Sequence, residues 1–118
     1  MMGHDIINLL NNLSEKRGIY MNIIKTLTDT TLNIALKGRL DTVTAPKLEA
    51  EIKPSLTDVT ELIWDFSDVE YISSAGLRVL LAAQKIMNKQ GNMIIKNVNE
   101  SVNEVFEITG FVDILTIE

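Results

Sequence analysis

Apolar positions along this chain recur with two periods, and the switches between them mark out its elements. Ile23, Ile24 and Leu27 fall in a strand-like run over 22–27, Thr28-Asp29-Thr30 reads as a turn, and Leu32, Ile34 and Leu36 alternate through a second run over 31–40. Alternation of that kind marks a strand with one buried face. Two such runs with so short a link predict a hairpin. Gly38, near the end of the second run, predicts a bulge or a close backbone approach.

After the hairpin the period lengthens. Thr42 or Thr44 is placed to cap a helix that has Pro46 in its first turn, where a missing N–H costs nothing. Leu48 and Ile52 line that helix, and Lys53-Pro54 is expected to end it. Glu61–Phe66 reads as a third strand whose consecutive Leu62, Ile63 and Trp64 predict a central position covered on both faces. A short acidic link follows. A helix is then expected from Ser74 to about Gln90, carrying Leu77, Leu80, Leu81, Ile86 and Met87, with Gly91 as its stop. Asn92–Val98 reads as a fourth strand, Ser101–Thr109 as a helix closed by Gly110, and Ile114–Ile117 as a short last strand. The later strand–helix–strand units imply parallel pairing with right-handed crossovers. The expected fold class is therefore α/β: a mixed sheet of four to five strands, opened by an N-terminal β-hairpin, with helices packed on it.

Residues 1–20 stand apart as an N-terminal extension to a domain over 21–118. Ile6, Leu9, Leu10 and Leu13 have helical spacing and Gly18 is placed to end that helix. The readings open for it are a short amphipathic helix docked on the domain, a partly disordered extension, or a contact for a second copy or partner. Asparagines break its apolar run and no basic flank precedes it, so it does not read as a signal peptide.

Composition narrows the function. At 118 residues, with 46% hydrophobic and 23% charged residues, the chain has the size and make-up of one globular domain. A net charge of −5 and scattered basic residues argue against nucleic acid, which demands clustered Lys and Arg. The absence of cysteine excludes disulfides and thiol chemistry and fits a reducing cytoplasm. The longest nearly apolar stretch, Leu77–Ala83, is interrupted by Arg78 and is far too short for a membrane span.

The candidate chemistry gathers at Ser73-Ser74. A serine at a helix start is a preferred cap. Its hydroxyl also lies at the positive end of the helix dipole, where a phosphate finds N–H donors already oriented. A hydrolytic serine would require a base, yet the single histidine, His4, lies in the extension and no Gly-x-Ser-x-Gly elbow exists. Glycine-rich nucleotide loops are absent as well. Asp41 and Asp65 follow different strands, which invites placing both near Ser74 at one end of the sheet, and Asp68 and Glu70 lie close in sequence. A receiver-type magnesium site would require an acidic pair after the first strand, and Lys25-Thr26-Leu27-Thr28 stands there instead. No metal or cofactor is therefore expected, and these acids read as solvated turn formers. Gly76 keeps the first helical turn small, either for packing or for a partner's approach. Arg78, four residues after Ser74 on the same face, reads as a surface arginine, a partner contact, or a contact for a phosphate on Ser74.

The run Asp65-Phe66-Ser67-Asp68-Val69, then Tyr71-Ile72-Ser73-Ser74-Ala75-Gly76-Leu77, resembles the signature of STAS domains, specifically of bacterial anti-sigma factor antagonists. Gly38-Arg39-Leu40-Asp41, followed by Ala45-Pro46, is a second match at fitting spacing, and the resemblance covers about residues 20–118. It implies a non-enzymatic binding module in the cytoplasm that regulates transcription by partner switching. In the family the second residue of an Asp-Ser-Ser-Gly type motif is phosphorylated by a kinase that is also the anti-sigma factor, a position that corresponds to Ser74. The implied partners are that anti-sigma factor/serine kinase and a PP2C-type, metal-dependent serine phosphatase. The implied contact surface is Asp41, Ser73, Ser74, Ala75, Gly76 and Arg78. Ser73 replaces a frequent aspartate and Ala75 a second small hydroxyl residue, which bears on kinase recognition. A scaffold module that is never phosphorylated, and a sensor of nucleotide or lipid, are the alternative readings.

Overall fold

The computed structural model describes residues 21–118, so the N-terminal extension and the helix expected in it lie outside the described residues. Strands β1 (Met21–Thr28) and β2 (Thr31–Leu40) form the expected antiparallel hairpin, in unbroken register from Met21 opposite Gly38 to Thr28 opposite Thr31. Helix α1 (Ala45–Ser55), strand β3 (Glu61–Ile72), helix α2 (Ser74–Met87), strand β4 (Asn92–Lys96) and helix α3 (Glu100–Thr109) follow in order. The four strands lie in sequence order across one sheet, with β2–β3 and β3–β4 parallel. This is the mixed sheet expected from the pattern.

The parallel register stacks apolar positions in rows. Leu32, Leu62 and Met93 are matched across β2, β3 and β4, as are Ile34, Trp64 and Ile95, and all six are buried. The helices close this face with Leu48 and Ile52 from α1, Leu80, Ala83 and Met87 from α2, and Val102 and Phe106 from α3. Trp64 meets Phe66 edge-on at 6.2 Å between ring centroids, and Phe66 meets Phe106 at 6.4 Å. The other face is only partly covered: Ala35, Ile63 and Asp65 are half-buried, and Asn33 and Lys37 are exposed. β3 is thus a central strand with one dry face, not the two that its Leu-Ile-Trp run suggested.

Several boundaries move for physical reasons. Pro54 lies inside α1, which continues to Ser55. Pro54 and Ala50 are exposed, so the carbonyl that loses its donor can turn to water, and the Ser55 hydroxyl bonds the Glu51 carbonyl at 2.8 Å. α2 ends at Met87, although the Gly91 N–H still reaches the Met87 carbonyl at 2.7 Å. β4 stops at Lys96 because Asn97 turns to φ 61°. α3 opens on Asn99, whose side chain accepts from the Val102 N–H at 2.8 Å and donates to the Val69 carbonyl at 2.8 Å. The expected last strand over 114–117 is reduced to a single parallel bridge between Ile117 and Ile95, after a 3-10 turn at Phe111–Asp113.

The largest difference lies in β3, which runs twelve residues to Ile72 instead of stopping at Phe66. The presumed acidic link is strand. Its pairing with β2 skips between Ala35–Asp65 and Lys37–Asp68, and again between Gly38–Val69 and Arg39–Tyr71. Each skip places one extra residue on β3, the count of a β-bulge. Gly38, at φ 115°, sits at the second of these irregularities, as expected of it.

Phe106→Ala is expected to lower the free energy of unfolding by about 3–5 kcal/mol, because a fully buried ring that ties α3 to β3 is lost. Ile108→Ala, on the same helix but 81% exposed, should change it by less than about 0.5 kcal/mol. Urea midpoints for the two variants at unchanged denaturant slope would check this.

Candidate functional site

The C-terminal ends of β2 and β3 carry the site. Leu40 pairs with Ile72 in parallel register. The Ser73 N–H then donates to the Leu40 carbonyl at 2.9 Å. The turn after β2, which begins at Asp41, is therefore held beside the start of α2, which follows β3.

That turn is organised by one carboxylate. Asp41 Oδ1 accepts from the N–H groups of Val43 at 3.0 Å and Thr44 at 3.1 Å. The Thr44 hydroxyl donates to the Arg39 carbonyl at 2.6 Å and accepts from the Asp41 N–H at 2.9 Å. The Asp41 carbonyl receives the Ala45 N–H at 2.8 Å, which starts α1. Arg39 Nε lies 3.5 Å from Asp41 Oδ2. Burial pushes the Asp41 carboxyl up, but the N–H groups of Thr44 and Val43, the Thr44 hydroxyl and the Arg39 charge together hold it below the ordinary carboxylate value. The turn presents Val43 outward, 62% exposed. Beside it the Arg39 guanidinium lies over the Tyr71 ring, 4.3 Å from its centroid.

At the start of α2 the two serines separate in role. Ser73 is the N-cap residue, extended at φ −104° and ψ 176°, and its side chain makes no capping bond. Its Oγ is buried without a hydrogen-bond partner among the described residues. Ser74 is the first helical residue and is exposed. The N–H groups of Ser74, Ala75 and Gly76 have no acceptor within the helix. The sequence pointed to a serine cap within the Ser73-Ser74 pair; the extended backbone of a cap belongs to Ser73. Ala75 is half-buried, and Arg78 is exposed one turn beyond Ser74.

Gly76 is buried, and its visible duty is packing. A Cβ there would stand 2.6 Å from Leu40 Cγ, 2.9 Å from Ile72 Cγ1 and 2.9 Å from the Leu40 carbonyl oxygen. The bare backbone lets α2 lie against the strand ends.

The remaining acids do not join this cluster. Asp65 lies within β3, paired with Ala35 and Lys96, seven residues and about 20 Å short of Ile72 along the strand. The Asn97 amide at 3.0 Å and the Ser67 N–H at 3.0 Å hold its carboxyl low, against the upward effect of burial. The expectation that Asp65 shares the Ser74 end of the sheet is therefore corrected, because β3 does not end at Asp65 but runs on to Ile72 before it reaches Ser74. Asp68 and Glu70 are exposed strand residues. Among the described residues no group of three or more His, Asp or Glu side chains is placed to hold a metal ion, and no helix is long and apolar enough to cross a membrane. Val43 and Tyr71 were missed as surface candidates. Their signal was an apolar residue between two threonines in a turn, and an aromatic residue between Glu70 and Ile72.

The family profile described as STAS domain matches residues 22–118. The anti-sigma-B factor antagonist of Bacillus subtilis is 34% identical over 90 residues, covering 75% of this chain and 81% of that protein. A solved anti-sigma factor antagonist from Mycobacterium paratuberculosis superposes with a TM-score of 0.76 at 24% identity, over 83% of this chain and 85% of that one. The Bacillus cell fate determinant SpoIIAA in its phosphorylated form superposes at 0.64 with 22% identity, over 84% and 91%. The two superpositions establish likeness of fold.

Gly76→Ala should cost about 1–3 kcal/mol through overpacking against Leu40 and Ile72, read by chemical denaturation. Asp41→Asn keeps an acceptor oxygen and removes the charge. Because the folded-state carboxyl is held below its ordinary value, its charge contributes stability above that ordinary value, lost as pH falls through the lower folded-state one. The variant should therefore be less stable than wild type at pH 7, and the gap should close below about pH 4 in paired thermal melts.

Proposed function

This chain belongs to the STAS domain family, and from that premise we propose that it is an anti-sigma factor antagonist switched by phosphorylation of Ser74. The observation that carries the reading is the exposed hydroxyl at the first position of α2, beside the rigid Asp41 turn. The binding module is residues 21–118, with residues 1–20 an extension to it, and it works in the cytoplasm. Support comes from the relative named an anti-sigma-B factor antagonist and from a protein of this fold solved in a phosphorylated form.

In the unmodified state the chain docks on an anti-sigma factor through the Asp41 turn, Ser73, Ser74, Ala75 and Arg78. Val43 is the apolar anchor of this surface, and Gly76 holds the first turn of α2 low enough for close approach. The anti-sigma factor is also the serine kinase. It moves the γ-phosphoryl group of a nucleoside triphosphate to Ser74 Oγ; the hydroxyl proton leaves and a nucleoside diphosphate is released. A PP2C-type phosphatase reverses the change: water attacks phosphorus, the P–O bond to Ser74 breaks, and inorganic phosphate departs.

Phosphorylation adds about −1.5 to −2 charges and a bulky group where a hydroxyl was matched. A penalty of ~3 kcal/mol weakens binding about a hundredfold without any change of fold. No general base is needed in this chain, because it is the substrate.

Incubated with its cognate kinase and a nucleoside triphosphate, wild type should gain one phosphate by intact mass, and Ser74→Ala none. Ser74→Asp should weaken capture of the anti-sigma factor at least tenfold with an unchanged far-UV spectrum. Val43→Ala should weaken capture with Ser74 intact. A wild-type protein that takes up no phosphate would leave the scaffold reading in place of the switch.

A further inference from the structure

The acceptor serine has a cation one helical turn beyond it, and the charges around that cation are unbalanced. Ser74 and Arg78 are both exposed on α2. At a spacing of four their Cβ atoms lie about 5–6 Å apart, and an anion placed N-terminal to its cation is the favourable order. α2 has no acidic residue in its first turn, whereas α3 opens with Glu100. Ion pairs among the described residues engage Lys25, Arg39, Lys53 and Lys96, and Arg78 enters none of them. A guanidinium near the positive end of a helix dipole is unfavourable when no anion accompanies it.

We propose that Arg78 is the built-in counter-ion of a phosphate on Ser74, closing on it as an intrachain clamp. The inference rests on Ser74 being the phosphoacceptor, and it says where the added charge goes. The other charged groups at this end are Arg39, Asp41, Glu70 and Lys47, and Lys47 stands in the first turn of α1, on a different helix from Ser74. Arg39 is held by Asp41 and lies over Tyr71, and Glu70, on the last stretch of β3, is an acid. Arg78 is therefore the cation on the acceptor's own helix, one turn from Ser74, that enters no ion pair among the described residues. Its planar fork matches two phosphate oxygens at once. In the unmodified protein the same side chain is available to an acidic group on the partner. Phosphorylation then acts twice, by adding negative charge to the surface and by withdrawing the arginine from it.

The test installs phosphoserine directly at position 74, so it requires no kinase. The second ionisation of the phosphate, about pH 6 in a free phosphoserine, is followed by phosphorus NMR in phosphorylated wild type, Arg78→Gln and Arg78→Lys. Asp41 and Glu70 raise the midpoint equally in all three, so the differences report position 78. The midpoint in wild type should lie below that of Arg78→Gln by about 0.15–0.4 pH unit, and Arg78→Lys should recover part of the difference. The gap should shrink in 1 M salt. Phosphorylation should also raise the melting temperature more in wild type than in Arg78→Gln. Identical midpoints in wild type and Arg78→Gln would overturn the clamp while leaving Ser74 as the acceptor. A failure of the kinase to modify Ser74 would undo the switch and leave this measurement standing.

Discussion

The structure depends on the parallel pairing of β2 with β3 being carried all the way to Leu40 and Ile72. That pairing puts two strand-to-helix connections, the Asp41 turn and the start of α2, side by side, and the Ser73–Leu40 hydrogen bond locks them there. It is achieved by two bulges. Along β3 the buried residues are Leu62, Trp64, Phe66, Val69 and Ile72, so the step lengthens from two residues to three at each irregularity. In a regular strand a step of three turns a side chain to the opposite face. Each extra residue restores it, and Val69 and Ile72 remain in the core. Without the bulges, either the core or the placement of Ser73 would be lost.

The same stretch explains how far the sequence could be read. Periods of two in β2 and of three to four in the helices were strong, and they yielded the hairpin, the order of elements and the mixed sheet. Beyond Phe66 the period-two signal fails because the backbone is bulged, and Asp68 and Glu70 looked like loop residues when they are the exposed side of a strand. The spacing of Phe66, Val69 and Ile72 carried the information, but a run of threes with charged residues between is also how a turn or a short helix reads. Ile114–Ile117 failed in the opposite way: Leu115 is buried and Ile117 packs on the core, but Ile114 is exposed and only Ile117 meets β4 as a bridge. Ser74, Asp41 and Arg78 could be singled out as candidates because residue type, spacing and the resemblance to the STAS signature are properties of short sequence runs. Val43 and Tyr71 were missed because exposure of an apolar residue depends on the tertiary arrangement of two connections far apart in sequence.

The energetics of the site are those of a rigid frame with small local costs. Asp41 spends its carboxylate on the backbone of its own turn, so the turn is positioned by charge-assisted hydrogen bonds and not by packing alone. Gly76 trades side-chain contacts for close approach to Leu40. Ser73 keeps a buried hydroxyl without a partner among the described residues, a cost of the kind that stable cores avoid and that functional sites tolerate. These features fall within a few residues of one another, on the two connections that the β2–β3 register brings together.

The placement of the helix cap at Ser73 is what makes the proposed switch at Ser74 physically coherent. A serine at the cap position normally uses its hydroxyl to hold the first turn, so phosphorylating it would also remove a structural hydrogen bond. Here the extended backbone that defines the cap belongs to Ser73, and the exposed hydroxyl of Ser74 is left outside the capping geometry. Modification at the first helical position adds charge next to unsatisfied N–H groups, where it supports the helix it sits on. In the proposed switch a phosphate there would change what the surface presents without loosening the frame that presents it. A binding module that must be reset many times by a kinase and a phosphatase needs that separation between the group that is modified and the groups that hold the fold.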